Sequence, residues 1–378
     1  MKHGTIQTVL SMLVAAVLSA PSIAAEPYKL GLITAATGYG SFIGDPEVKA
    51  ARLYVKQLNQ AGGLSGRPVE LVVYDSEGSP EKAVIAMKRL TTQDKVTAVV
   101  GPDFSSTVRA VIPIVDEAKI VTYVMTPVIK PAAGSYMFAA FPIQEYAYEA
   151  QLQWFKKRGS TTLGVLASTD TTGQEGVKFL KEIGQRVGVN LAVENFNIQD
   201  VDVTPQLLNL QRRGAQGILA AVSGKPFAVV AKGMKQLNMN IPLLASTGSV
   251  TNTLGELLKG IEPETLLLPT VKMFVADQLP ENDPQRPPIA RLRKLYQQEY
   301  GVDPDQYAAV AWDSIDIVAK AMGAAGGDPA KMRDHIEKLS NYVGALCTVN
   351  MKPDDHHGCG QDGYVLVLFK NGKFVLEH

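Results

Sequence analysis

Short apolar runs alternate with longer stretches of helical period along this chain, and the alternation is written twice. Tyr28–Thr34 is a continuous apolar run of the kind a buried strand shows. Pro46–Ala61 follows with helical spacing and closes at Gly62-Gly63, where a C-cap belongs. Val69–Tyr74 is β-branched and reads as a strand. Ser79-Pro80-Glu81 supplies an N-cap, a proline at the first helical position and an early carboxylate, which predicts a helix to about Thr92. Val96–Val100 is apolar on both faces, as a central parallel strand should be. A helix is predicted over Ser106–Ala118, kinked at Pro113, and then a strand over Ile120–Met125.

The second half repeats this order. Strands are predicted over Thr162–Ala167, Leu191–Phe196, Gly217–Val222 and Pro242–Ala245, and helices over Gly173–Val187, from Thr204-Pro205 onward, and over Pro226–Leu237. The halves are also alike in local sequence: Tyr28–Ala35 resembles Thr162–Ser168, and Lys95–Gly101 resembles Ala215–Val222. From Leu266 the order changes. A strand over Leu266–Phe274 precedes a Pro-rich loop (Pro280–Pro288), helices over Ile289–Tyr300, Asp305–Met322 and Pro329–Leu339, and a hairpin of Tyr364–Phe369 and Lys373–Leu376 turned at Asn371-Gly372. Strands alternating with helices give doubly wound parallel sheets, so two α/β lobes with a cleft between them are expected.

The 378 residues exceed the size at which one core keeps growing, which also favours two domains. Residues 1–25 read as a secretory signal peptide: Lys2, an apolar run from Val9 to Leu18, then small residues with cleavage near Ala24 or Ala25. No later apolar stretch reaches the ~18 residues that span a bilayer, and no cysteine follows the cleavage region to carry a lipid anchor. An exported protein is therefore expected. The formal net charge is +0 and no basic run exceeds Lys156-Lys157-Arg158, so nucleic acid is not an expected partner. The two cysteines, Cys347 and Cys359, are most simply a disulfide in an exported protein. A metal site is the sharper reading, because His356, His357, Asp354 and Asp355 lie between them. The adjacent histidines lack the spacing of zinc motifs, so no metal is expected.

Ligands of open parallel sheets bind beyond the carboxyl ends of the strands. The repeat places those loops at Ala36–Gly44, Pro102–Thr107 and Thr126–Lys130 in the first half, and at Thr169–Gly173, Ser223–Pro226 and Ser246–Asn252 in the second. They are rich in Ser, Thr and Gly and poor in charge. Ser105 and Ser106 would open a helix, where free N–H groups and the dipole favour a carboxylate; the plainer reading makes each an N-cap. Enzyme signatures are missing. Gly38-x-Gly40-x-x-x-Gly44 departs from the dinucleotide spacing, and Ser79-x-x-Lys82 lacks its companion motifs. None of the five histidines falls in these loops, so no catalytic residue and no cofactor is expected.

The run Gly31–Leu90 (GLITAATGYGSFIGDPEVKAARLYVKQLNQAGGLSGRPVELVVYDSEGSPEKAVIAMKRL), followed by Val99–Ser106 (VVGPDFSS) and Val124–Pro127 (VMTP), resembles the periplasmic leucine/isoleucine/valine-binding protein family. These type I binding proteins feed ABC importers, and the likeness covers Tyr28–His378. It implies two doubly wound parallel-sheet lobes joined by three crossings, lobe 1 over 27–143 plus 275–357 and lobe 2 over 144–274 plus 358–378, closing on a hinge. It implies a monomer whose partners are a small carboxylate ligand and the membrane permease subunits. It places the ligand carboxylate at Ser105, with the main chain around Thr126–Lys130, and an aromatic contact at Tyr307. The ligand-binding set is then Phe42, Ile43, Ser105, Ser106, Thr126, Val128, Thr171, Thr172, Gly248, Ser249 and Tyr307.

The departures from the family pattern bear on the ligand. Amino-acid binders hold the ammonium with an acid in the loop that here reads Ser246–Asn252, which has no carboxylate. Phe42-Ile43 stands where a tyrosine is usual, and Ser168–Gly173 lacks its tyrosine, although Asp170 lies there. An ammonium buried without a carboxylate is costly. The expectation is a small organic acid, most simply an aromatic carboxylate such as a benzoate or hydroxycinnamate. The alternatives are a branched-chain or other aliphatic amino-acid binder of the same family, and a ligand-sensing receptor domain.

Overall fold

The computed structural model describes residues 26–377; the signal-peptide reading of residues 1–25 lies outside them. The first sheet holds β1 (Tyr28–Thr34), β2 (Val69–Asp75), β3 (Ala98–Val100), β4 (Thr122–Val124) and β5 (Met137–Ala139) in the order β2-β1-β3-β4-β5, all parallel. Its helices are α1 (Ser41–Gln60), α2 (Pro80–Arg89) and α3 (Ser105–Ala118). After β5 the chain crosses to α4 (Gln144–Lys157) and to β6 (Thr162–Ser168), α5 (Thr171–Val187), β7 (Asn190–Phe196), α6 (Thr204–Arg212), β8 (Ile218–Ala221), α7 (Pro226–Gln236), β9 (Leu243–Ala245), α8 (Leu254–Leu257) and β10 (Leu266–Thr270). It crosses back to α9 (Arg286–Tyr300), α10 (Gln306–Ala325) and α11 (Pro329–Glu337), and to the small pair β11 (Tyr342–Val343) and β12 (Thr348–Val349). A third crossing leads to β13 (Val365–Lys370) and β14 (Lys373–Leu376). These two complete a seven-stranded sheet, β14-β13-β10-β9-β8-β6-β7, in which β13 is antiparallel to both neighbours.

This is an α/β fold with two parallel-sheet lobes. Helices α10 and α1 pack together on the first sheet, and α4 packs with α5 on the second. The repeat has a steric basis at the first strand-to-helix junction of each half. A Cβ on Gly44 would come within 2.3 Å of the Ala35 main chain, and one on Gly173 within 2.0 Å of the Ser168 oxygen. Each glycine thus lets a helix start close against the end of the first strand.

Several elements differ from the sequence expectation. Helix α1 begins at Ser41 and takes Pro46 inside it. The strand expected over Leu266–Phe274 ends at Thr270, and Lys272–Gln278 forms a 3-10 turn on the way between lobes. Helix α4 escaped the apolar-period reading because its buried face carries amides: Gln144 and Gln151 are buried, and Gln151 Nε2 donates to the Ala245 oxygen at 2.9 Å.

The crossings pack on one another. Cys347 and Cys359 are bridged, with Cα atoms 6.0 Å apart, and Cys359 Sγ lies 3.1 Å from the Ala140 oxygen in the first crossing. Tyr364 in the third crossing donates to the Pro142 oxygen at 2.8 Å. The histidines between the cysteines are spent on packing. The His356 ring stacks on Phe138 with centroids 4.3 Å apart, and its nitrogens face Met137 O and Glu337. His357 is buried, which pushes its pKa down to about 4 and keeps it neutral. Among the described residues no group of three or more His, Cys, Asp or Glu side chains comes together as a metal site.

The disulfide closes a short loop, its cysteines 12 positions apart in the chain. Thiol titration of the denatured, unreduced protein should find no reactive thiol, and two titratable thiols would exclude the bridge. Replacing both cysteines by serine should cost about 3 kcal/mol in urea unfolding.

Candidate functional site

The loops beyond the carboxyl ends of the two sheets face each other and enclose a cavity. The first sheet contributes Asp103, Phe104 and Ser105 after β3, Met125–Val128 after β4, and Ile43 from α1. The second contributes Thr172 from α5, Ser223 after β8, and Ser246, Thr247 and Gly248 after β9. Phe141 in the first crossing, Gln144 and Tyr148 of α4, and Gln306 and Tyr307 of α10 complete the wall. The space between the walls is about 590 Å³ including its mouth, of which about 50 Å³ is open to the centres of water molecules. One water needs ~10–15 Å³ on that measure, so there is room for a compact small molecule.

One wall can hold an anion. The Ser105 and Thr126 hydroxyls lie 3.2 Å apart, and both residues are buried. Helix α3 starts at Ser105, and no side chain caps its N-terminus, because the N-cap is Phe104. Ser105 and Ser106 are therefore first-turn residues and not caps. Helix N-termini without a cap leave N–H groups free for an acceptor. Ile43, Phe104, Met125, Val128, Phe141 and Tyr307 supply the apolar part of the lining, with the Phe141 and Tyr307 rings 6.2 Å apart in edge contact.

Among the described residues the lining contains no lysine or arginine, and its one acid is Asp103. Asp103 Oδ2 accepts from Ala35 N at 2.8 Å and from the Thr34 hydroxyl at 3.0 Å, while Oδ1 accepts from Phe104 N at 2.9 Å. On its other side Thr34 meets Glu47, which is fully buried. One hydroxyl hydrogen cannot serve two carboxylates, so one carboxyl must carry a proton and donate it to Thr34. Burial, and then the Asp103 charge, push Glu47 well above the usual carboxylate range, which puts the proton there. Asp305 caps α10 by accepting from Tyr307 N and Ala308 N at 3.0 and 3.1 Å, and burial lifts its pKa to about 6.

Of the residues singled out from the sequence, Ile43, Ser105, Thr126, Val128, Thr172, Gly248 and Tyr307 line the cavity. Four do not. Successive helical residues point about 100° apart, so Ser106 beside Ser105 and Thr171 beside Thr172 face elsewhere. Phe42 stands behind Tyr307, edge-on at 6.1 Å, with its ring against Gly224 of the other lobe. Ser249 donates its hydroxyl to the Val222 oxygen at 2.8 Å. Asp170 caps α5, its Oδ1 accepting from Gly173 N at 3.0 Å and the Ser168 hydroxyl at 2.6 Å. The sequence reading missed Phe141, Gln144 and Tyr148, which belong to the crossing and the helix it left unassigned, and Gln306, whose only signal was its place beside Tyr307.

The walls also touch across the cleft. Gln306 Nε2 donates to the Thr247 and Val250 oxygens at 2.8 and 2.9 Å, and Tyr307 donates to the Gly248 oxygen at 3.1 Å. Tyr39 donates to the Ser223 oxygen at 2.9 Å, and Arg109 pairs with Glu175.

A family model described as periplasmic binding protein matches residues 27–373. The leucine-, isoleucine-, valine-, threonine- and alanine-binding protein of Pseudomonas aeruginosa is 23% identical over 343 residues, 88% of this chain and 89% of that one. An extracellular ligand-binding receptor from Rhodopseudomonas palustris HaA2 has the same fold, with a TM-score of 0.86 at 23% identity over 93% of this chain and 99% of that one. So does an ABC transporter substrate-binding protein from Desulfitobacterium hafniense in complex with Leu, with a TM-score of 0.74 at 18% identity over 93% and 100% of the chains.

The shared proton beneath the cavity can be tested by stability at pH 7. Glu47→Gln should be nearly neutral in urea unfolding, because an amide reproduces a protonated carboxyl's donation to Thr34. Thr34→Val should cost about 1–3 kcal/mol, since it leaves two buried carboxyls without their bridge. Equal losses in both variants would mean that Glu47 is ionised.

Proposed function

Because the chain belongs to the periplasmic binding protein family, whose members bind solutes and are not enzymes, we propose that it is the exported solute-binding component of an ABC importer that captures a small aliphatic α-amino acid. It would work as a monomer in the periplasm and deliver its ligand to membrane permease subunits. The lobes are assigned to 27–143 plus 275–357 and to 144–274 plus 358–378, and closure of one on the other traps the ligand. The N-terminal tag would direct export.

The observation that carries the ligand class is the charge balance of the lining: no cation, and one carboxylate, Asp103. A bare carboxylate bound beside Asp103 would bury net negative charge with only neutral donors around it. A zwitterion brings its own counter-charge. Its carboxylate fits the Ser105 and Thr126 hydroxyls and the open N-terminus of α3, and its side chain fits the wall of Ile43, Phe104, Val128, Phe141 and Tyr307. The Pseudomonas aeruginosa relative is named for binding leucine, isoleucine, valine, threonine and alanine, which weighs the same way. This reverses the preference drawn from the Ser246–Asn252 loop alone.

The second reading, an aromatic carboxylate without an amino group, keeps one specific observation in its favour. The Asp103 oxygens are already engaged by three donors, and the loop after β9 presents no acid.

Calorimetry with matched pairs separates the two. Leucine should bind more tightly than 4-methylpentanoate, and phenylalanine more tightly than 3-phenylpropanoate, because each pair differs only by the amino group. The opposite order in both pairs would replace the amino-acid reading by the second one.

For either class Ser105→Ala removes a hydrogen bond to a charged group. Affinity should fall by about 1.5–3 kcal/mol, or tenfold to a hundredfold. Unchanged affinity would move the carboxylate elsewhere.

A further inference from the structure

We infer that Gln306 reads a hydrogen-bond donor on the ligand, and that it does so only when the lobes are closed. The inference rests on the amino-acid reading above and adds a specificity-determining residue that the loop pattern does not indicate. Gln306 is the first residue of α10, is 1% exposed and lines the cavity. Both hydrogens of its amide nitrogen are used, one on the Thr247 oxygen and one on the Val250 oxygen. Those two acceptors fix which way the amide faces. Turned over, its oxygen would meet two carbonyl oxygens and no donor. The atom left free is therefore Oε1, an acceptor, and among the described residues it has no protein partner.

A buried amide oxygen without a partner is a group that a ligand donor satisfies, and an ammonium is the strongest donor an amino acid offers. The neighbouring charges favour a cation here. Asp305 precedes Gln306 in the chain and its charge acts on the adjacent Tyr307 phenol, while the Asp103 carboxylate lies in the same lining. No lysine or arginine of the lining opposes them.

The same two bonds tie recognition to closure. Thr247 and Val250 follow β9 in the second sheet, whereas α10 packs on the first. When the lobes part, the amide loses both carbonyls, its orientation is no longer set, and it can offer either nitrogen or oxygen. Closure converts it into an acceptor alone. A ligand with a donor at that place gains affinity only in the closed form, and such differential affinity is what shifts a population.

The test is the affinity ratio within matched pairs, measured by calorimetry on the full mature chain: leucine against 4-methylpentanoate, phenylalanine against 3-phenylpropanoate, and threonine against 3-hydroxybutanoate. Gln306→Met removes both halves of the amide at similar length. It should weaken every ligand through lost closure bonds and, beyond that, lower the amino-to-deamino ratio by tenfold to a hundredfold. Gln306→Glu keeps an acceptor at Oε1 but cannot donate to Thr247 and Val250. It should weaken both members of a pair while preserving or raising their ratio, and it decides the matter if the Met variant is unfolded by circular dichroism. Equal weakening of both members in Gln306→Met, with the ratio unchanged, would make Gln306 a closure contact only and overturn the inference. A wild-type protein that prefers the deamino acids overturns the amino-acid reading, while the change of ratio on substitution still judges Gln306 by itself. Binding of none of the six compounds would overturn both.

Discussion

The meeting of the α10 N-terminus with the loop after β9 is the contact on which the site depends. Each sheet on its own ends in loops whose polar groups face solvent. Gln306 and Tyr307 place three hydrogen bonds on the carbonyls of Thr247, Gly248 and Val250, and so make the far wall of one lobe part of the other lobe's pocket. Asp305 holds the first turn of α10 in place for this by capping it, and Phe42 backs Tyr307 from the side of the cleft. The rest of the cavity follows from that geometry: a hydroxyl pair at one strand end, an apolar wall between, and amides from α4 and α10.

Electrostatics is the second constraint. The floor of the first lobe buries Glu47, Asp103 and Asp305 with no cation in the cavity lining. Such a cluster survives because its members are satisfied in different ways. Asp103 takes three donors, Asp305 takes two main-chain N–H groups, and Glu47 keeps its proton and donates a hydrogen bond to the Thr34 oxygen. The lining therefore presents hydroxyls, amide groups and one well-bonded carboxylate. A net-neutral ligand that supplies both a carboxylate and a donor suits that set better than a simple anion.

The fold was legible because its signals are local. Apolar runs, caps such as Ser79-Pro80, and the Asn371-Gly372 turn each report on a few neighbouring residues. Where an element's buried face is polar, the same reading stops. Helix α4 hides Gln144 and Gln151 beside Ala147, Tyr148, Leu152 and Phe155, and the two amides weaken its apolar period in the sequence. The segment after Thr270 failed for a related reason: an apolar run does not say whether the chain stays in a sheet or leaves it to cross between lobes. For the site, the loops were correctly placed at strand ends, but a loop is several residues long and only some of its side chains face inward. Ser105 and Ser106, or Thr171 and Thr172, are chemically equivalent in one dimension and differ only by the turn of the helix.

By itself, then, the sequence determined the two α/β halves, the loops that face the cleft and the resemblance to a family of binding proteins, since these follow from periodicity and from contiguous motifs. Only the tertiary structure decided which atoms are free to meet a ligand. Gln306 lies far in sequence from Thr247 and Val250, and nothing near it in the chain says that its amide nitrogen is used up and its oxygen left over. The same holds for Asp103, whose oxygens are taken by Thr34, Ala35 and Phe104, and for Ser249, whose hydroxyl goes to Val222. Hydrogen-bond satisfaction is a property of neighbours in space, so the chemistry of the pocket is fixed only when both lobes and the crossings between them are in place.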